Sequence, residues 1–371
     1  MPPVGKHIVL HLDMDAFFAA IEERDHPDFA GFPIVVGADP KGGDGRGVVS
    51  TANYVARTYG VHSALPISHA WRLCKNEEQQ GGRPCVFFQG SFEKYDRESD
   101  GVMEIVRKYA GTVEQTSVDE AYFELSVKAR SSDDQYTEAI KIARRIKRRV
   151  FSKTQLTCSI GGGPNKLIAK IASDYKKPNG FVIVRPGEVR AFLDPLSVRV
   201  IPGVGPKAEE TLRAMNIRTV RELREVPAEV LAERFGVWGR EMAERAQGRD
   251  DRVVGGHQPV KSLGREHTFG EDARDPVILL ATLRRLAEQV AQDAREASVK
   301  FKNIELKVRF ASFETRTRRT TLRASSSSAR AIENSALRLF LPFLDRRENP
   351  YGRAIRLLGV RVAQLTVSPL R

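Results

Sequence analysis

Alternating and helical hydrophobic periods divide this chain into short strands and helices in close succession. Residues 7–12 predict a strand, and Ala16 to Glu23 follow with a helical period. A turn-rich stretch from Gly37 to Gly47 separates predicted strands at 33–36 and 48–50. Residues 92–109 and 136–151 predict helices, the second basic and amphipathic, with a strand–turn–strand around 119–120. A strand at 156–160, a sharp glycine turn at 161–163, a helix at 165–175 and a strand at 181–184 follow. Helices dominate 188–247, and the glycines of 248–256 read as a linker. Beyond it, residues 260–371 read β-α-β-β-α-β, with helices near 275–298 and 328–344. The fold class is α+β and multidomain, its first half suited to a sheet of the split βαβ kind.

Composition narrows the class. The 371 residues exceed one core and imply two to four domains. At 41% hydrophobic and 29% charged, the chain has an ordinary globular balance. No apolar run approaches the ~20 residues of a membrane span. Met1 to Lys6 lacks a signal peptide's apolar core, so a cytoplasmic location is expected; the chain is also expected to be a monomer. Cys74, Cys85 and Cys158 show no metal-type spacing and are expected reduced and buried. The 60 Lys and Arg against 47 Asp and Glu leave a formal charge of +13, which favours a polyanionic partner. Arg309, Arg316, Arg318, Arg319 and Arg323 are dense across two strand-like segments. Arg316, Arg318 and Thr320 share one parity and are expected on one phosphate-tracking face, without matching acids.

Candidate chemistry lies where strands stop. Asp13-Met14-Asp15 ends the first strand, and Ser117-Val118-Asp119-Glu120 precedes the alternating Ala121 to Leu125. Each alone also reads as a helix cap or a turn. Together on neighbouring strands they would form an all-oxygen cage for a hard divalent ion, above all Mg2+. Gly37 to Gly47 and Gly161 to Lys166 both lack P-loop spacing. In the second stretch, Lys166 and Lys170 share a helix face and are expected to reach nucleic acid phosphates. Ile201-Pro202-Gly203-Val204-Gly205-Pro206-Lys207 has the apolar-x-Gly-x-Gly pattern of a helix-hairpin-helix element, whose amides at Gly203 and Gly205, with Lys207, suit a DNA phosphate.

The segments Leu10 to Glu23, Ser50 to Arg57, Ser117 to Tyr122, and Asn165-Lys166 through Lys177 to Gly180, in this order, resemble the Y-family DNA polymerases, specifically the DinB branch. The resemblance spans essentially the whole chain. It implies a right-hand architecture: palm (1–16 and 84–184), small fingers (17–83), helical thumb (185–249, helix-hairpin-helix at 201–217), linker (250–258) and C-terminal little finger (259–371). It also implies template-directed, low-fidelity translesion synthesis on primer–template DNA with deoxynucleoside triphosphates. Asp13, Asp119 and Glu120, with the Met14 carbonyl, would hold two Mg2+ ions, Mn2+ being the alternative, and Asp15 would support them. Thr51, Tyr54, Arg57, Lys177 and the Phe17 and Phe18 amides would hold the triphosphate, and Phe18 would be the steric gate under the sugar. Gln364 to Leu370 matches a sliding-clamp peptide only loosely. A non-catalytic DNA-binding adaptor would lack the carboxylates, and a helix-hairpin-helix nuclease or glycosylase would leave the N-terminal motifs idle.

Overall fold

Strand β1 (Val9–Met14), buried at every position, runs through the middle of the first sheet. The computed structural model describes residues 8–125, 132–256 and 260–367. His7, at the start of the first expected strand, and His257 and Gln258, at the end of the expected linker, lie outside them. Two compact units result, residues 1–256 and 257–371.

In the first unit, β1 is followed by α1 (Phe17–Asp25), β2 (Ile34–Gly37), β3 (Val49–Ala52), α2 (Tyr54–Thr58), α3 (Ile67–Gln79) and β4 (Val86–Gln89). Next come α4 (Phe92–Tyr109), β5 (Thr112–Gln115), β6 (Glu120–Glu124), α5 (Ser132–Thr154), β7 (Cys158–Gly163), α6 (Lys166–Tyr175) and β8 (Phe181–Ile183). The main sheet has the order β5-β6-β1-β7-β8. Alternation along β1 serves two different covers. Leu10, Leu12 and Met14 join a core with Val102 and Ile105 of α4 and Ala143 and Ile146 of α5. Val9, His11 and Asp13 take the opposite parity, and Val9 packs with Ala169 of α6.

The glycines expected as a turn at 161–163 instead extend β7. At Gly161 a Cβ would stand 2.1 Å from the Ser173 backbone nitrogen, so a bare strand lets α6 lie directly on the sheet. Asn165 then caps α6, accepting from the Ile168 N–H at 3.0 Å.

A smaller sheet, β3-β2-β4, carries α2 and α3. Here the expectation of reduced cysteines fails, because Cys74 and Cys85 form a disulfide between α3 and the approach to β4. Their Cα atoms are 5.7 Å apart across a short loop, a proximity that spacing alone did not reveal. Cys158 is free and buried. The unit ends in a helical bundle, α7 (Val189–Leu193), α8 (Pro206–Ala214), α9 (Val220–Glu225), α10 (Ala228–Phe235) and α11 (Val237–Ala246), around Leu193, Ile201, Leu212, Leu223 and Leu231.

The second unit contains β9 (Ser262–Ala273), α12 (Pro276–Glu296), β10 (Val299–Phe310), β11 (Thr315–Ser326), α13 (Ala329–Leu344), β12 (Ile355–Ala363) and β13 (Thr366–Val367). Its antiparallel sheet, β11-β10-β12-β9, packs one face on α12 and α13 through Ile304, Leu306, Val308, Leu286 and Phe340. Within the loosely matched clamp stretch, Thr366 and Val367 are tied into a ladder with Val299 and Lys300. Ser368 to Leu370 lie outside the described residues. No described helix is long and apolar enough to cross a membrane.

Candidate active site

Antiparallel pairing of β1 with β6 sets Asp13 opposite Glu120 and His11 opposite Tyr122. The two acids therefore project from one face of adjacent strands. Asp13 is almost fully buried, yet its charge is met. Lys177 Nζ lies 2.6 Å from Oδ1, and Lys170 Nζ lies 3.1 Å from Oδ2. Lys170 also reaches Glu120 Oε1 at 3.0 Å. Asp174 closes the cluster, 2.8 Å from Lys177 and 3.5 Å from Lys170. Three carboxylates thus share two ammonium groups, which leaves one negative charge in excess.

Burial divides these groups. It pushes the Asp13 carboxyl up, against the opposing pull of Lys177 and Lys170. Burial also works against ionised Glu120, but neighbouring His11 and Lys170 outweigh it and hold this carboxyl at about 2. Burial would lower both lysines, yet the surrounding carboxylates raise them, so both stay charged. His11 is held below its ordinary 6.5, mainly by burial. Its Nδ1 meets Ser173 Oγ at 2.8 Å, while Nε2 stands 3.3 Å from Glu120 Oε2 without a well-aligned hydrogen bond.

The other acids point differently. Asp119 is half-buried, and its Oδ1 accepts from Ser117 Oγ at 2.5 Å, while its carbonyl accepts from the Met14 N–H at 3.0 Å. Asp15 is buried, accepting from Ser159 Oγ (2.7 Å) and from the Asn179 N–H (2.8 Å). Asp15 therefore fixes the loop that carries Lys177. Among the described residues, no three acidic, His or Cys side chains converge as a ready metal cage. The donor set of Asp13, Glu120 and nearby Asp119 is all oxygen and carries excess negative charge, which suits a hard divalent cation.

A second feature also fits an anion-bearing ligand. Asn53 caps α2, accepting from Ala56 N–H at 3.0 Å, and Tyr54 and Arg57 leave this helix together. The Arg57 guanidinium lies 4.6 Å over the Tyr54 ring. The Tyr54 hydroxyl is enclosed without a hydrogen-bond partner, an orphan that a phosphate oxygen would satisfy. Thr51 sits on β3, just before α2. The first turn of α1, at Phe17 and Phe18, has no side-chain cap.

Phe17 is core, whereas Phe18 is half-buried and stacks on Tyr95 at 4.1 Å and 11°. Tyr95 is in turn held by Glu22, 2.6 Å from its hydroxyl. Phe18 lines a cavity of about 360 Å3 with Val36, Gly37, Ser50 and Gly90.

Comparison with known proteins places this arrangement. Residues 12–174 match the impB/mucB/samB family, 260–370 its C-terminal domain, and 186–217 the IMS family HHH motif. A relative in Methanosarcina mazei called DNA polymerase IV 2 is 44% identical over 360 residues, covering 97% of this chain and 93% of that protein. DNA polymerase IV of Streptococcus mutans is 38% identical, covering 96% and 92%. The chain belongs to the Y-family DNA polymerases, in the polymerase IV branch. Among solved structures, a Y-family chimera of Dbh and Dpo4 superposes with a TM-score of 0.81 at 26% identity, covering 97% of this chain and 100% of that one. An insertion ternary complex of Dbh DNA polymerase gives 0.64 at 25% identity, with the same coverage.

In this Y-family chain, Gly203 has φ 97°, and a Cβ there would meet the Trp238 ring at 2.5 Å. Gly205 caps α8, and Lys207 beside it is exposed. Two expectations for DNA contacts change. Lys166 is enclosed, with Nζ between both Glu114 oxygens at 2.6 and 2.7 Å and over the Tyr122 ring, while Lys170 points into the acid cluster. The buried Lys166 needs its Glu114 partner and so is not available to phosphates, while Lys170 is engaged by Asp13, Glu120 and Asp174.

Arg316 and Arg318 face the helix side of their sheet, and both meet Glu348. Glu314 also pairs with Arg316 and Arg353. The expected absence of matching acids is wrong, and the exposed parity is Thr317, Arg319, Thr321 and Arg323. Sequence reasoning also missed His11, Ser173, Asp174 and Tyr95. The two-residue step from His11 to Asp13 signalled one of them, and the four-residue step from Lys170 to Asp174 another.

Proposed function

We propose that this Y-family polymerase adds deoxynucleotides to a primer 3′-hydroxyl through a two-ion phosphoryl transfer, with low fidelity and tolerance of damaged templates. The register of Asp13 against Glu120, beside an oxygen-rich turn and two lysines, is the observation that carries the reading. Asp13, Glu120, Asp119 and the Met14 carbonyl would hold the divalent ions, with the lysines yielding the carboxylates as cations enter. Bound there, Mg2+ ions would acidify the primer hydroxyl and neutralise the departing pyrophosphate.

The protein's own groups do the positioning. Asp15 anchors the Lys177 loop, and Lys177 offers a point charge to the triphosphate. Arg57 offers a forked donor, Tyr54 its orphaned hydroxyl, Thr51 a second hydroxyl, and the α1 amides their open N–H groups. Phe18, braced by Tyr95, lies flat where a 2′-hydroxyl would collide, and the cavity beside it leaves room over the nascent pair. Gly203, Gly205 and Lys207 would grip a duplex phosphate in the thumb (185–249), and the little finger (259–371) would also hold the duplex. Primer extension on undamaged and lesion-bearing templates tests this directly. Mg2+-dependent elongation on both is expected, with at least about a thousandfold loss in Asp119→Ala. Full activity in that variant, or cleavage in place of elongation, contradicts the reading.

A further inference from the structure

We infer that a basic cleft along α5 is a second binding site, for single-stranded nucleic acid. The cleft, about 950 Å3, lies between α5, β7 and β8, on the sheet face opposite Asp13. Ala139, Ala143, Ile146 and Val150 bury one stripe of α5. The complementary stripe presents Lys141, Arg144, Arg145, Lys147 and Arg148 to the cleft. None of the lining residues is acidic. Arg144, Arg145 and Arg148 are exposed and make no ion pair among the described residues. From Lys141 to Phe151 the helix runs about 15 Å, enough for several phosphates in a row.

Charge alone would fit any polyanion, so the rings decide. Phe151 is 49% exposed at the end of the basic stripe, and Phe181 lies on the other wall under the Arg144 guanidinium at 5.4 Å. One exposed ring, Phe151, beside unpaired cations, with the half-buried Phe181 edging the opposite wall, offers the stacking surface and backbone track of single-strand binders. A duplex hides its bases, and inorganic phosphate or an acidic peptide leaves the rings unused. The floor is fixed, because Lys147 donates to the Cys158 carbonyl and to Asn179 Oδ1. This site goes beyond the polymerase reading, since none of its arginines or rings belongs to the carboxylate cluster.

The test uses the full chain saturated with a blunt-ended DNA hairpin, followed by a labelled thymidine oligonucleotide read by fluorescence anisotropy. The wild type should bind this second strand. Arg144→Ala/Arg148→Ala and Phe151→Ala should each weaken that binding about tenfold or more. The arginine pair should also flatten the salt slope by about 1.4. Unchanged melting and unchanged extension of the hairpin's recessed counterpart would confirm intact folding and a separate polymerase site. No second strand bound to the saturated wild type, or variants that bind as tightly, would overturn the proposal. So would inorganic pyrophosphate that fills the cleft and is lost in the arginine variant yet indifferent to Phe151→Ala.

Discussion

Charged side chains crowd two places in this molecule, the end of β1 and the edge strand β11, and burial gives the same pairing two meanings. Glu120 and Glu314 are both held at about 2. At Glu314 the cause is hydrogen bonding from Arg353 and Arg316 at a fully exposed position, where water and salt screen the interaction. At Glu120 burial opposes ionisation, and only the adjacent His11 and Lys170 keep the carboxylate charged. Removing a partner from the surface pair leaves its mate in water. Removing one from the β1 cluster leaves a desolvated charge that must find another cation. That need is what the proposed metal site would exploit.

The sharpest way to break this contrast away from the carboxylates is Phe18→Ala. It should lower selectivity for deoxyribose over ribose by about a hundredfold in primer extension, with deoxynucleotide insertion largely kept. Unchanged sugar discrimination would remove Phe18 from the site. Lys177→Met should raise the KM for the incoming nucleotide at least about tenfold, with a smaller change in DNA affinity. A smaller effect is expected in the second unit. Arg319→Ala/Arg323→Ala should weaken DNA binding several-fold at physiological salt and reduce the salt slope by about 1 to 2. Arg316→Ala/Arg318→Ala should instead lower the melting temperature, because those arginines are committed to Glu348. If the two pairs exchange these effects, the assignment of the faces is wrong.

Acid should act chiefly on the buried cluster. His11 is held below 6.5, so the folded state resists a proton that the unfolded chain accepts, and stability declines as pH falls below 6.5. Glu120 adds stability that is fully present above its ordinary 4.5 and is lost as pH falls toward 2. Between pH 7.5 and 4.5 His11 should therefore make thermal melts slope downward, while Asp13, whose carboxyl burial pushes up, works in the opposite direction. His11→Asn should flatten the slope just below pH 6.5, and an unchanged slope would assign the acid sensitivity elsewhere.

Much of the site's frame was legible in the order of residues. Asp13 and Glu120 announced themselves as acids inside β-forming runs, and the β-α-β-β-α-β period of the second unit survives intact in the structure. What stayed hidden was the destination of the cations. Lys166 and Lys170 occupy the same helix face four residues apart, but one ends under Glu114 and the other between Asp13 and Glu120. Long-range pairing of this kind has no local period. The glycines of β7 misled for a related reason: a run that favours turns was selected by the close approach of α6. The parity of Arg316 and Arg318 was visible, but which parity faces the helices depends on packing that only Phe310, Leu322 and Phe343 reveal.

The central claim is that the acids at the β1–β6 register perform the chemistry. Single-turnover extension by Asp13→Asn, at saturating primer–template, nucleotide and Mg2+, tests it most directly. The rate should fall at least about a thousandfold while DNA affinity stays within about threefold of wild type. A rate within threefold of wild type would contradict the account.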